Sequence, residues 1–231
     1  MSKRTTRTTI AIKAEPAPVA AGEFASWLGL TRHAQRQKTA GSDVPCGECN
    51  ACCRSSYFIH LTPADTQAVK RIPKALLFPA PGLPKGNVLM GYNDKGQCPM
   101  LVENTCSIYA HRPQTCRDYD CRIYAATGIE LTDAAQASIA ERVANWRFAY
   151  PGEVDRKEHA AVLATAAFLR ERKAAFPPRS LPGNPAQLAI LAIKVHRVFF
   201  DLGEQAGAKP ADADIAKAVM AALEQFDVSA S

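Results

Sequence analysis

Every cysteine of this 231-residue chain lies between residues 46 and 121, and four of the eight fall in one stretch, Cys46-Gly47-Glu48-Cys49-Asn50-Ala51-Cys52-Cys53. The others are Cys98, Cys106, Cys116 and Cys121. Cys46, Cys49 and Cys52 recur with two residues between them, a spacing at which one tight turn can aim successive sulfurs at a common centre. Gly47 permits the left-handed backbone that such turns often need. Thiolates are soft ligands, and four of them suit tetrahedral zinc or a cubane iron–sulfur cluster rather than calcium, magnesium or manganese. The C-x2-C-x2-C run matches the opening of a bacterial ferredoxin run, and Cys98-Pro99 echoes its closing Cys-Pro far downstream. No histidine stands at a regular ligand spacing. These features tilt the reading toward an iron–sulfur cluster over Zn2+, without excluding zinc held by four cysteines.

Cys53 complicates a single site. Adjacent residues of an extended chain point to opposite sides, so Cys52 and Cys53 could serve different centres, and the count of eight allows one centre or two. Arginine follows cysteine at Arg54, Arg117 and Arg122, and Arg112 is close by. A centre held by four thiolates is anionic, and cations around it lower the electrostatic cost, so these four arginines are candidates for an outer shell around the cofactor. Surface pairing with Glu48, Asp118 or Asp120 is the plainer alternative. His60 and His111 read as hydrogen-bonding or core residues, and Tyr109, Tyr119 and Tyr124 as packing. No Gly-rich dinucleotide fingerprint, phosphate loop or G-x-S-x-G elbow occurs, which leaves nucleotide and serine-hydrolase chemistry without support and catalytic residues unknown.

The elements that must position these thiols can be placed around them. Phe24 to about Lys38 forms a short helix, and Gly41, Ser42 and Pro45 break the chain into the cysteine loop. Tyr57–Leu61 reads as a buried strand, and Thr62-Pro63-Ala64-Asp65 as the start of a helix ending near Arg71. The prolines and glycines of 73–86 predict a loop. Asn87–Tyr92 and Cys98–Val102 flank a turn-rich connection and predict a short hairpin, and Pro113 opens a short helix. Beyond Leu131 the composition shifts to Ala-rich helical segments. Ile139, Val143 and Trp146 mark a first; Val162, Ala166 and Leu169 a second; Leu188, Leu191 and Val195 a third; Ile215, Val219 and Phe226 a fourth. Four such helices can pack as a bundle.

Hydrophobic residues make up 47% of the chain and charged ones 22%, the composition of a globular protein large enough to bury a core without covalent staples. The formal charge of +6 is concentrated at one end. Residues 1–40 hold seven Lys/Arg against Glu15 and Glu23, and the other 191 residues carry 21 basic and 20 acidic side chains. The body therefore shows no preference for nucleic acid, and the basic arm reads as a solvated tail. No apolar run reaches membrane-spanning length and no secretory signal is evident, so the expected location is the cytoplasm, where clustered thiols mean metal more readily than disulfides.

CGECNACC, Leu61-Thr62-Pro63-Ala64-Asp65, Gly96-Gln97-Cys98-Pro99-Met100-Leu101, the run from Cys106 to Arg117, and Cys121 together resemble the YkgJ-like cysteine-cluster family, the CxxCxxCC zinc- or iron-chelating domain. The resemblance covers roughly residues 45–125 and maps all eight cysteines. It implies metal chelation through them and a bacterial cytoplasmic setting, but no particular reaction. Flagellin lysine N-methylases look similar in their cysteine region, which implies an enzymatic alternative, protein methyl transfer. This chain shows no recognisable methyl-donor motif.

The expected architecture is α+β and mostly helical. A flexible basic arm (1–22) precedes a cysteine-cluster metal-binding domain (23–130) with a short hairpin, and a helical C-terminal region (131–231) follows as a bundle. The expected ligands are Cys46, Cys49, Cys52, Cys53, Cys98, Cys106, Cys116 and Cys121. The expected partner is a metal ion or cluster, with an iron–sulfur-dependent enzyme or a zinc-containing nucleic-acid-binding module as alternatives.

Overall fold

The computed structural model describes residues 17–37, 44–204 and 210–228. In chain order its elements begin with β1 (Val19–Glu23), α1 (Phe24–Gln37), β2 (Ile59–Leu61), α2 (Thr66–Arg71), β3 (Leu77–Pro79), β4 (Val88–Met90), β5 (Leu101–Val102) and β6 (Thr105–Cys106). They continue with α3 (Gln114–Asp118), α4 (Arg122–Thr127), α5 (Ala137–Asn145), β7 (Trp146–Ala149), α6 (Glu153–Glu171), α7 (Pro185–Val195), α8 (Arg197–Glu204) and α9 (Asp212–Val228). The chain is a mostly helical α+β protein with small sheets, as its patterning predicts.

The helical body is built on α7, whose Ala189, Ala192, Ile193 and Val195 are fully buried. It packs against α1, α4, α6 and α9. Its start follows from local chemistry: Asn184 Oδ1 accepts from the N–H groups of Ala186 (2.9 Å) and Gln187 (3.3 Å), and Pro185 sits where a missing donor costs nothing. α6 turns Val162, Ala166 and Leu169 into the same core. Its first-turn Asp155 does two jobs. One carboxylate oxygen accepts from Gly152 N–H (3.1 Å) at the start of α6, and the other from Ala25 N–H (3.0 Å) at the start of α1. The Ala25 bond above all holds that carboxyl below the usual range.

A smaller lobe carries a three-stranded antiparallel sheet in the order β2-β4-β3, with Met90 opposite both Ile59 and Leu77. Its core is Leu61, Ala68, Ile72, Met90, Met100 and Ile108. Asp65 prepares the start of α2 by accepting from Thr62 N–H (2.8 Å) and Thr62 Oγ1 (2.9 Å), and its other oxygen accepts from Gln114 N–H (2.7 Å) at the start of α3.

Several local expectations are corrected. The 73–86 segment contains β3, which pairs along β4, in place of a plain loop. The hairpin joins β5 to β6 across Glu103 and Asn104, both at positive φ (47° and 65°). The arms Asn87–Tyr92 and Cys98–Val102 do not pair with each other: β4 goes to β2 and β3. Trp146, read as part of a helix, begins β7 and is buried. Of the expected basic arm, Lys3, Arg4, Arg7 and Lys13 lie outside the described residues, as do Lys38, Gly41 and Ser42. Residues 19–22 are in β1, which runs parallel to β7 and buries Ala21.

Candidate metal centre

The cysteine loop takes its shape from backbone hydrogen bonds. Gly47 adopts the left-handed conformation (φ 54°), as its place in the spacing predicts, and Cys49 N–H reaches back to Cys46 O (2.9 Å). Residues 51–54 then form a turn of 3-10 helix closed by Cys53 N–H to Asn50 O (2.9 Å). This overturns the premise that Cys52 and Cys53 diverge, because successive side chains on such a turn are not on opposite faces. The Cys53 thiol shares hydrogen-bond contacts with both Cys52 and Cys98, and Cys98 N–H donates to Cys53 O (2.8 Å).

All eight cysteines are free thiols. They line two adjoining cavities. One, of about 120 Å³, is bordered by Cys46, Cys49, Cys52, Cys116 and Cys121. The other, of about 130 Å³, shares four of these and adds Cys53, Cys98 and Cys106. Electrostatic influence ties the thiols together across both cavities, with Cys52 acting on Cys46 as well as on Cys106 and Cys116. Cys121 feels Cys46 and Cys49, whereas Cys116 feels Cys52, Cys98 and Cys106. Among the described residues, no three His, Cys, Asp or Glu side chains stand at the spacing of bound metal ligands.

Contact with Cys53 lowers Cys52 and Cys98 to about 7, and Cys53 itself is pushed up by the same contacts. Burial raises Cys46 and Cys106, and pushes Cys116 and Cys121 up to about 12. Soft sulfur donors gathered around a cavity fit a thiophilic metal, which binds the thiolate form and so takes the place of the proton.

The four arginines proposed from the sequence separate. Arg112 borders both cavities, lies over the Tyr109 ring (3.8 Å to its centroid) and acts electrostatically on Cys46, Cys106 and Cys116. Arg117 borders the first cavity and donates to Gln114 Oε1 (2.7 Å). Arg54 is held by the side chains of Asn50 and Asn104, bracing the cysteine loop against the β5–β6 hairpin. Arg122 lines neither cavity; it is buried against Asp120 (2.8 Å) and donates to Ala21 O (3.0 Å), while Trp27 Nε1 donates to the same carboxylate (2.9 Å). That buried group ties the segment bearing Cys121 to β1 and α1. His60 is a hydrogen-bonding residue, Nε2 to Asn87 Oδ1 (2.9 Å).

Two residues escaped the sequence reading. Trp146 Nε1 donates to Cys121 Sγ (3.2 Å), and Arg142 stacks over the Trp146 ring (4.3 Å), donates to Pro45 O (3.2 Å) and acts on Cys46. Both come from the helical region. Trp146 was read only as part of an apolar stripe with Ile139 and Val143, which says nothing of a sulfur partner, and Arg142 carried no signal at all.

Residues 45–141 match the model of the CxxCxxCC family, described as a putative zinc- or iron-chelating domain. This supports the cysteine-cluster resemblance, and the match runs through α4 into α5, stopping one residue short of Arg142. No curated protein and no solved structure matches the chain. Among the described residues no helix is long and apolar enough to cross a membrane.

Proposed function

We propose that the eight cysteines hold a pair of adjoining metal centres, as iron–sulfur clusters in preference to zinc, in a cytoplasmic protein. One observation carries the reading: every cysteine, from five separated segments of chain, borders one of two cavities that share a wall. Cys46, Cys49, Cys52 and Cys121 would serve the first centre, and Cys53, Cys98, Cys106 and Cys116 the second, with Cys52 and Cys53, in contact on one turn, standing where the two centres meet. Four thiolates at each give the donor number that a tetrahedral ion or a cubane requires. Bound metal would hold these thiols deprotonated. Arg112, Arg117 and Arg142 offset the resulting negative charge, and Trp146 donates to one sulfur of the first set.

Anaerobic purification followed by metal, acid-labile sulfide and visible-absorption analysis tests this. Iron with sulfide and a brown colour is the expected result; a colourless protein with two zinc ions keeps the donor assignment and replaces the metal. A metal-free, disulfide-bonded protein defeats both. Cys121→Ser halves the metal content if there are two centres and removes all of it if there is one.

An iron–sulfur-dependent enzyme is a second reading, supported by Arg112 and Arg117 on the wall of the first cavity, where they could receive an anionic substrate.

A further inference from the structure

The sheet of the smaller lobe is apolar on both faces. Met90, Ile59 and Leu77 turn one face to the core, and by register Leu89 stands between His60 and Phe78 on the other. The solvent side of an antiparallel sheet is ordinarily polar. Here it carries Phe78 and, just past the paired residues, Phe58 and Tyr92, which are 39%, 56% and 44% exposed. The three rings form one cluster, with the Phe58 centroid 5.3 Å from that of Tyr92 and 6.0 Å from that of Phe78. We propose that this face binds single-stranded nucleic acid, its bases stacking on the rings and its phosphates meeting the lysines around them.

Three further features favour that occupant. Gly91, next after β4, lies under the cluster: a Cβ there would meet only the Phe58 and Phe78 rings, at 3.6 and 3.8 Å. Its φ is not positive, so the backbone does not require glycine at this point, and what glycine leaves is room for a close approach between the rings. Charge is the second feature. The body as a whole is nearly neutral, but residues 66–97 hold Lys70, Arg71, Lys74, Lys85 and Lys95 against Asp94 alone. All five are exposed, and among the described residues none is paired with a carboxylate. Because β2 and β3 both run antiparallel to β4, Lys74 before β3 and Lys95 after β4 emerge at the end of the sheet that bears Phe58 and Tyr92. Lys85, in the β3–β4 connection, emerges at the opposite end, so a polyanion laid across the face meets cations at both ends. The third feature removes a peptide strand as the occupant. At the β3 edge, Leu77 N–H is committed to Lys74 O and Pro79 has no N–H, so an added strand finds no donor at either position. Aromatic faces with cations beside them are the chemistry of base stacking and phosphate contact.

The site does not rest on the metal reading. The test is fluorescence anisotropy of the full chain, as purified, with a labelled oligothymidylate or oligouridylate of about twelve nucleotides and with a duplex of the same length. One or both single strands should bind about tenfold more tightly than the duplex. Phe78→Ala and Tyr92→Ala, neither of which borders a thiol-lined cavity, should each weaken that binding about tenfold with metal content unchanged. Gly91→Leu, which keeps all three rings and fills the space between them, should weaken it as much. Lys74→Gln and Lys95→Gln should each flatten the slope of log affinity against log salt by about 0.7, the loss of one phosphate contact. No binding of either single strand, equal binding of the duplex, or affinity indifferent to the aromatic and glycine substitutions overturns the proposal; the last would assign the nucleic acid to the basic N-terminal residues. Binding to phosphatidylglycerol vesicles in place of the oligonucleotides overturns it as well, in favour of an anionic membrane surface.

Discussion

The two bodies of this protein are held together by different means. The helical body buries a continuous core that runs from Ala21 to Val219 and draws on α1, α4, α6, α7 and α9. The sheet-bearing lobe has a described core of only Leu61, Ala68, Ile72, Met90, Met100 and Ile108, two of its strands are two residues long, and its cysteine loop contains one turn of 3-10 helix. Burying a large aliphatic side chain contributes about 1.5–3 kcal/mol, and fixing the backbone of a single residue costs about 1–2 kcal/mol. Six buried side chains are a thin supply for such a lobe. A structural zinc contributes about 10–16 kcal/mol in small metal-folded domains. On the proposed metal reading, the lobe with the thinner core is the one that bound metal should stabilise most, and the helical body the one it should leave unchanged.

The comparison breaks or sharpens first on metal removal. Chelation under reducing conditions should raise amide hydrogen exchange across residues 45–118 by at least about 100-fold, while α6 and α7 keep their protection. Equal loss in both bodies would show one cooperative unit. Next in size is Asp120→Ala at the seam. It removes the carboxylate partner of the buried Arg122 guanidinium and of the Trp27 indole N–H, and should cost about 3–5 kcal/mol in urea unfolding, with Asp120→Asn milder because it keeps an acceptor. A change below 1 kcal/mol would mean that the seam does not couple the bodies.

The smallest effect lies among the thiols themselves. In reduced, metal-free protein, Cys52 and Cys98, lowered to about 7, gain thiolate as pH rises through neutrality, whereas Cys116 and Cys121, pushed up to about 12, do not. Iodoacetamide labelling read by mass spectrometry from pH 6 to 9 should therefore rise first at Cys52 and Cys98. Uniform labelling would remove the distinction within the loop.

The legible parts of the molecule were those fixed locally. Gly47 announced its positive φ, and Pro185 and Asn184 the start of α7, because caps and turns are settled by residues a few positions apart; the start of α2 was placed at Thr62-Pro63, whereas the helix begins at Thr66. The Asn93–Gln97 turn was also read correctly as a turn: Asn93 Oδ1 accepts from Lys95 N–H and Gln97 N–H, both at 3.0 Å. Its arms do not pair, because β4 is already taken on both edges by β2 and β3. The true hairpin turns on Glu103-Asn104, and a glutamate at positive φ is a poor advertisement for a tight turn. Cys52 and Cys53 were misread because opposed sulfurs presume an extended chain. Arg142 and Trp146 could not be found at all, since the link from Arg142 to Pro45 spans 97 residues and no local pattern encodes it.

The parallel pairing of β1 with β7 also orders events in time. Val19 finds its partner only at Trp146, and Ala25 finds its carboxylate only at Asp155. A ribosome making this chain therefore finishes all eight cysteines before the N-terminal strand and helix have β7 and α6 to dock on, with only Asp120 and Arg122 at hand for Trp27 and Ala21. During that interval the thiols belong to a nascent chain that still lacks β7 and α6. On the proposed metal reading, the late arrival of residues 146–155 would place loading before closure.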